Sequence, residues 1–241
     1  MSRLKKLRFA FALTLMALSV NPVSASVVMT GTRVIYPAQA QEKTVQLTNQ
    51  NALPYIVQMW VDNDPNNNEP QNTISPFIAN PQIFRINSNA GQTVRLVFTG
   101  DRLAQDRETL FYLSFLQMPA IKASELQANK LLVGVNSRMK LFYRPQKLAG
   151  DPDQLSKSLS FKLQGASIVA SNRSGYYATV RDAKVIHAGQ FSQLNQAVMI
   201  PPLSEVDWKI PKKTSVLKGD MLRLTLVNDY GADVTTDLII N

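Results

Sequence analysis

Residues 129–145 read NKLLVGVNSRMKLFYRP, and the rest of the chain is organised around this stretch. Its odd positions are Leu131, Val133, Val135, Ser137, Met139, Leu141 and Tyr143, all apolar except Ser137. Its even positions include Lys130, Asn136, Arg138, Lys140 and Arg144. A period of two over so many residues predicts one long β-strand with unlike faces. Strands usually run about five or six residues, so this one is expected to extend past its neighbours. Two readings fit the pattern. It is an ordinary core strand with a polar outer face, or it is a long apolar edge whose use is to bind another chain.

The chain around it has 241 residues, of which 45% are hydrophobic, enough for one large or two ordinary domains. Net charge is +9, but Arg3, Lys5, Lys6 and Arg8 crowd the first eight residues. An uncharged apolar run follows at 9–20, then Asn21-Pro22 and the small residues Val23-Ser24-Ala25. This order is that of a secretory signal peptide over 1–25, with cleavage expected after Ala25. The run is too short to cross a hydrocarbon core of about 30 Å, and no stable membrane insertion is expected. Without the four leading cations the charge is +5, which gives no argument for nucleic acid. There is no cysteine, so an exported product must rest on its packed cores alone.

Extended segments follow one another from Val27. VVMTGTRVIYP reads as one, then KTVQLT (43–48), PYIVQMWV (54–61), one or two short strands around Pro81, QTVRLVFT (92–99) and LFYLSFLQM (110–118). DNDPNNNEPQN (62–72) reads as a loop. Turn signals at this spacing predict an immunoglobulin-like sandwich over 26–146, with Trp60 in its core. Residues 147–157 are polar, carry Gly150 and Pro152, and read as a linker. Over 158–241 the β pattern restarts, with strands expected at 159–163, 166–170, 176–186, 197–200, 205–210, 222–228 and 233–240. The fold class is all-β, with two sandwich domains.

Signals for an enzyme are poor. His187 is the only histidine and has no partner motif, so it reads as a surface or turn residue. No glycine-rich phosphate loop occurs. The Asp62–Asn66 run lacks the glycine and glutamate of a calcium loop, and a zinc site lacks ligands. No cofactor or metal is expected. Two cations stand out: Lys140, inside an apolar strand, and Arg33, just before Val34-Ile35-Tyr36. Each suits a side chain snorkelling to water. Together, near a domain junction, they would suit a carboxylate.

TRVIYP (32–37), DRETLFYL (106–113), MKLFYRP (139–145) and VNDYGA (227–232) lie in both halves of the chain. With VQMWVD (57–62) and YYATV (176–180), they resemble the periplasmic pilus-assembly chaperones of Gram-negative bacteria, across essentially the whole mature chain. That resemblance implies two immunoglobulin-like domains set at an angle like a boomerang, with a cleft between them. It implies a periplasmic chaperone that completes a pilus subunit by lending it a strand and delivers it to an outer-membrane usher. Arg33 and Lys140 would anchor the subunit's C-terminal carboxylate. Leu131, Val133 and Val135 would insert into its groove. Arg95, Glu108, Arg144 and Asp229 would form a charge network between the domains. The connection at 119–129 resembles that of the short-loop subgroup. Whether free molecules cap each other's strands as dimers is left open.

The competing reading is an immunoglobulin-like fibre subunit or surface adhesin. A subunit should be one incomplete domain with an N-terminal donor extension. Here the first strand starts almost at the cleavage site, and the first domain has a complete-looking last strand.

Overall fold

The computed structural model describes residues 26–66, 75–100, 103–121, 131–212 and 214–241. The expected signal peptide with its cleavage site, most of the 62–72 loop and most of the 119–129 connection lie outside them. The first half forms strands β1 (Val27–Met29), β2 (Arg33–Pro37), β3 (Lys43–Asn49), β4 (Tyr55–Asp62), β5 (Phe77–Asn80), β6 (Ile83–Ile86), β7 (Gly91–Phe98), β8 (Thr109–Pro119) and β9 (Val135–Arg144). One sheet runs β1-β3-β7-β5, and the other β2-β9-β8-β4-β6. Their inner faces close a core that includes Tyr36, Leu47, Met59, Leu96, Leu113, Phe115 and Leu141.

Two segments change sheet, one expected to be continuous and one expected to hold one or two short strands. The 27–37 stretch breaks at Thr30-Gly31-Thr32: β1 pairs with β3 in one sheet, and β2 pairs in parallel with β9 in the other. Gly31 has φ +86, a left-handed conformation that glycine adopts without the Cβ clash other residues meet. Likewise β5 joins β7 while β6 joins β4. At each break the buried parity reverses, from Val27 and Met29 to Val34 and Tyr36, and from Phe77 and Ala79 to Phe84 and Ile86, as a change of sheet requires.

Trp60 is buried, as expected of it, but not within the core. Tyr55, Val57, Met59 and Val61 fill the core from β4, so Trp60 and Asp62 fall on the opposite face of the sheet. Asp62 is not the first residue of a loop. It closes β4 and is buried.

A short 3-10 helix, Pro152–Ser158, follows, capped by the Asp151 carboxylate, which accepts from the Asp153 N–H at 2.9 Å. The second half adds β10 (Leu159–Gln164), β11 (Ser167–Asn172), β12 (Ala178–His187), β13 (Gln190–Ile200), β14 (Ser204–Lys209), β15 (Met221–Val227) and β16 (Asp233–Ile239). Sheets β10-β11-β14 and β13-β12-β15-β16 enclose a second core that includes Phe161, Ile168, Val185, Trp208 and Leu222. The polar first half of β13 (QFSQLNQ) gave no sequence signal because β13 is an edge strand whose residues there are mostly exposed. His187 ends β12 and lies 2.9 and 3.0 Å from the two Asp220 carboxylate oxygens through Nδ1.

Tyr36 locks the first core. Its hydroxyl lies 3.0 and 3.1 Å from the carbonyl oxygens of Ala40 and Gln41, and it accepts from the Phe98 N–H at 3.2 Å. Its ring stacks on Tyr143 and meets Phe77 edge-on. Tyr36→Phe keeps the ring and strips these bonds. It is expected to destabilise the protein by about 1–3 kcal/mol, read as a lowered urea midpoint with an unchanged slope.

Candidate functional site

The site is built on β9, whose character changes along its length. From Lys140 to Arg144, β9 is a central strand, paired with β2 on one side and β8 on the other. From Val135 to Met139 it pairs, among the described strands, with β8 alone. Residues 131–134 make no ladder with any described strand, so the expected single strand from Asn129 begins only at Val135. Leu131, Val133 and Val135 are 90%, 61% and 48% exposed. A Cβ on Gly134 would meet Leu116 Cδ1 and Met118 Cγ at 3.3 Å, so glycine lets the segment lie close against β8.

In the double-flanked part, odd and even residues part company. Leu141 and Tyr143 enter the first core. The even residues Phe142 and Arg144 face the second half of the chain. Phe142 lies 5.7 Å from the Tyr177 ring. Arg144 donates to both carboxylate oxygens of Asp229, at 2.5 and 2.8 Å, and through Nε to Glu108 at 2.7 Å. Its guanidinium also lies 5.0 Å from the Tyr176 ring centre. Glu108 in turn accepts the Tyr177 N–H at 2.7 Å, and its own N–H donates to Gly175 O at 2.8 Å. Gly175 makes this approach feasible: a Cβ there would come within 2.9 Å of Asp106 O and Leu148 Cβ.

Glu108, Arg144 and Asp229 are therefore brought together, but Arg95 is not. Arg95 alternates outward on β7 between the core residues Val94 and Leu96, in the sheet that lacks β9. It pairs instead with Glu42 at 3.5 Å, both side chains well exposed. Sequence position gave the residue, and strand parity takes it to the other face of the domain.

Arg33 and Lys140 are opposite one another as the first register pair of β2 and β9. Arg33 Nη1 donates to Val227 O at 3.0 Å, and its guanidinium lies 5.8 Å from the Phe142 ring centre. Arg33 Nε is buried without a partner. Among the described residues, neither cation has a carboxylate within salt-bridge distance. Burial lowers both side chains' pKa values; Arg33 lowers that of Lys140 further, while for Arg33 the charge of Asp229 opposes burial, Arg181 adds to it and Glu108 opposes it less strongly. An arriving anion would relieve that strain. A cavity of about 80 Å³ opens beside Arg33, with Phe142, Arg144, Tyr176, Val227 and Asp229 among its lining residues; Lys140 does not line it.

Both halves of the chain match known family models. Residues 26–149 match the N-terminal domain, and residues 154–238 the C-terminal domain, of the PapD pili assembly chaperones. The chain belongs to the PapD family of pilus-assembly chaperones. It is 36% identical to the chaperone protein HifB of Haemophilus influenzae over 90% of this chain and 88% of that one. It is 34% identical to the chaperone protein FimC of Escherichia coli K12, over 86% and 81%. The crystal structure of the YadV chaperone superposes with a TM-score of 0.77 at 27% identity, covering 90% of this chain and all of that one. This membership favours the chaperone over the fibre-subunit reading, and the family is not one of enzymes.

Sequence reasoning missed a second charge cluster on this chaperone. Arg138 donates to Asp62 Oδ2 at 3.0 Å and to Ser114 Oγ at 3.2 Å, also reaching Asp62 Oδ1 and Asp64 O. It stacks over the Tyr112 ring at 4.4 Å. The available signals were parity with Lys140 on β9 and the parity of Asp62 with Trp60.

Burial raises the Glu108 carboxyl above its ordinary 4.5, and the opposing pull of Arg144 does not cancel it. The Arg144 guanidinium, by contrast, is penalised by burial but raised overall by its bonds to Asp229 and the charge of Glu108. A carboxyl raised on folding binds protons more tightly in the native state. Its stabilising contribution is full below the unfolded value and is lost as pH rises through the folded one. Glu108→Gln cannot titrate. The stability of the wild type relative to this variant is expected to fall as pH rises above about 4.5, measured by urea unfolding at a series of pH values.

Proposed function

We propose that this chaperone captures a pilus subunit by lending it residues 131–139 as a strand, and fixes the subunit's C-terminal carboxylate between Arg33 and Lys140. The observation that carries this reading is the parallel register of β2 and β9. The β2 line begins at Arg33 opposite Lys140, and upstream of that point no described strand pairs with the β9 edge away from β8. An incoming strand can occupy the vacant part of that line. If it runs parallel to β9, its C-terminus arrives at two cations. If it runs antiparallel, its ammonium terminus would arrive there and be repelled. The charges therefore favour a parallel strand that ends at Arg33.

The magnitudes agree with a division of labour. Leu131, Val133 and Val135 each contribute about 1.5–3 kcal/mol if their remaining apolar surface is buried in a subunit groove. A carboxylate at about 4 Å from each cation gains about 4 kcal/mol per pair at an effective dielectric near 20, before its desolvation is subtracted. A slip of one residue would turn every inserted side chain away from the groove, so the anchored terminus sets register. Strand addition of this kind is established for chaperone–pilin pairs. The signal-peptide pattern of residues 1–25 supports export to the periplasm. From there, handover to an outer-membrane usher follows as the next step of the same reading. No nucleotide enters the scheme, since completing the subunit's fold supplies the free energy.

Arg33→Ala and Lys140→Ala are each expected to abolish recovery of subunit complexes from a periplasmic extract, with an unchanged thermal midpoint for the chaperone. Val133→Asp is expected to do the same by placing a charge in the groove. Wild-type yields of subunit, identified by mass spectrometry, in all three variants would refute the reading.

A further inference from the structure

Lys140 needs an explanation that its own strand does not give. Across the outer face of the sheet, the register sets Asp62 of β4 opposite Tyr112 of β8, Tyr112 opposite Lys140 of β9, and Lys140 opposite Arg33 of β2. Adjacent strands lie about 4.8 Å apart, which places Asp62 about 10 Å along one row from Lys140. A lysine and an aspartate side chain on one face span much of that gap. A carboxylate of the protein's own thus lies in the row of the cation that is to receive a carboxylate from outside.

Arg138 stands between them. It is two residues before Lys140 on β9, so it shares that face. Its guanidinium holds Asp62 through both carboxylate oxygens, takes a third contact from Ser114 and covers the Tyr112 ring. The Asp62 side chain is 2% exposed and that of Arg138 16%, so water screens this pair little. On the other side of Lys140 stands Arg33, with Glu108 and Asp229 nearer to Arg144 than to Lys140.

We propose that Arg138 screens Asp62 from Lys140, so that the Lys140 ammonium stays open to the carboxylate of a bound chain. This rests on the reading of Lys140 as an anion anchor. Arg138 is then a positioning residue: it acts by occupying the Asp62 carboxylate, which would otherwise compete for the anchor, while Tyr112 and Asp64 are the other titratable groups beside this row.

The test is a double-mutant cycle on the whole chain, following the Lys140 amine by NMR with isotope-labelled lysine. Arg138→Met exposes the Asp62 charge to Lys140 and is expected to raise its titration midpoint by about 0.5–1 on the pH scale. Asp62→Asn leaves an uncompensated guanidinium nearby and is expected to lower the midpoint. The double variant returns it to the wild-type value, as does the charge-conserving Arg138→Lys. A midpoint unmoved in both single variants, or a double variant that keeps the Arg138→Met shift, would overturn the proposal. Should Arg138→Met fail to fold, Asp62→Asn and Arg138→Lys decide it by the same criteria.

A second readout separates the screen from the anchor. A fluorescent peptide of alternating Val and Thr, ending in a free carboxylate, is compared with its C-terminal amide. The wild-type preference for the carboxylate is expected to fall about three- to tenfold in Arg138→Met and to recover in the double variant. No preference in the wild type would refute the anchor, while the Lys140 titration would still decide the screen.

Discussion

The parallel pairing of β2 with β9 is the constraint on which the rest of this molecule depends. It exists because the chain leaves the first sheet at Gly31 and enters the second at Arg33. Starting there, β2 covers only the second half of β9, from Lys140 to Arg144. That one register divides β9 into a core strand and a free edge. The same residue that begins the pairing is a half-buried arginine, and its partner is a half-buried lysine. The end of the free edge and the cation pair are therefore one feature of the backbone.

Charge on the outer face of this sheet is sorted into two kinds. Arg144 and Arg138 each grip a buried carboxylate in addition to other partners, and each lies over an aromatic ring. Removing either would strand a carboxylate in a site with little water, which is the costly way to break a buried pair. Arg33 and Lys140 stand on the same face with no carboxylate within salt-bridge distance among the described residues, Arg33 donating to Val227 O. An arginine fork suits the first role, because its planar donors take both oxygens of a carboxylate at once. Arg144 also joins the two domains through Asp229 and through Glu108, which contacts the Tyr177 backbone. The cation pair is therefore held at a junction fixed from both sides.

Much of the fold could be read from period and turn chemistry. All seven strands of the second domain lie within a few residues of their expected places, apart from the polar first half of β13. Edge strands such as β13 carry little hydrophobic signal, since neither face need be apolar. The sheet change at Gly31 left as its signal only a reversal of buried parity, from Val27 and Met29 to Val34 and Tyr36, within runs of three and five residues. At the site, the residues matched by motif position fall together wherever the motif spans a single strand: Arg144 in MKLFYRP lies where the match puts it, beside Glu108 and Asp229. Arg95 lies apart from them because it sits on β7, in the other sheet, between the core residues Val94 and Leu96. The Arg138–Asp62 pair was missed for a related reason. Asp62 was taken as the start of a polar loop, and a loop residue is not expected to be buried.

The shape of the site bears on how the charges act. Lys140 and Arg33 are only half buried, so salt and water weaken their attraction for a carboxylate. Leu131 and Val133, almost free of their own protein, lose nothing at home when they enter a groove. The apolar strand is thus the better source of affinity, and the cation pair the better source of register. A ligand with the right pattern but an ill-placed terminus would bury its side chains one step out of phase and lose the apolar term as well. Two weak charges therefore act as a strong filter, because they decide whether the larger apolar contribution is gained at all.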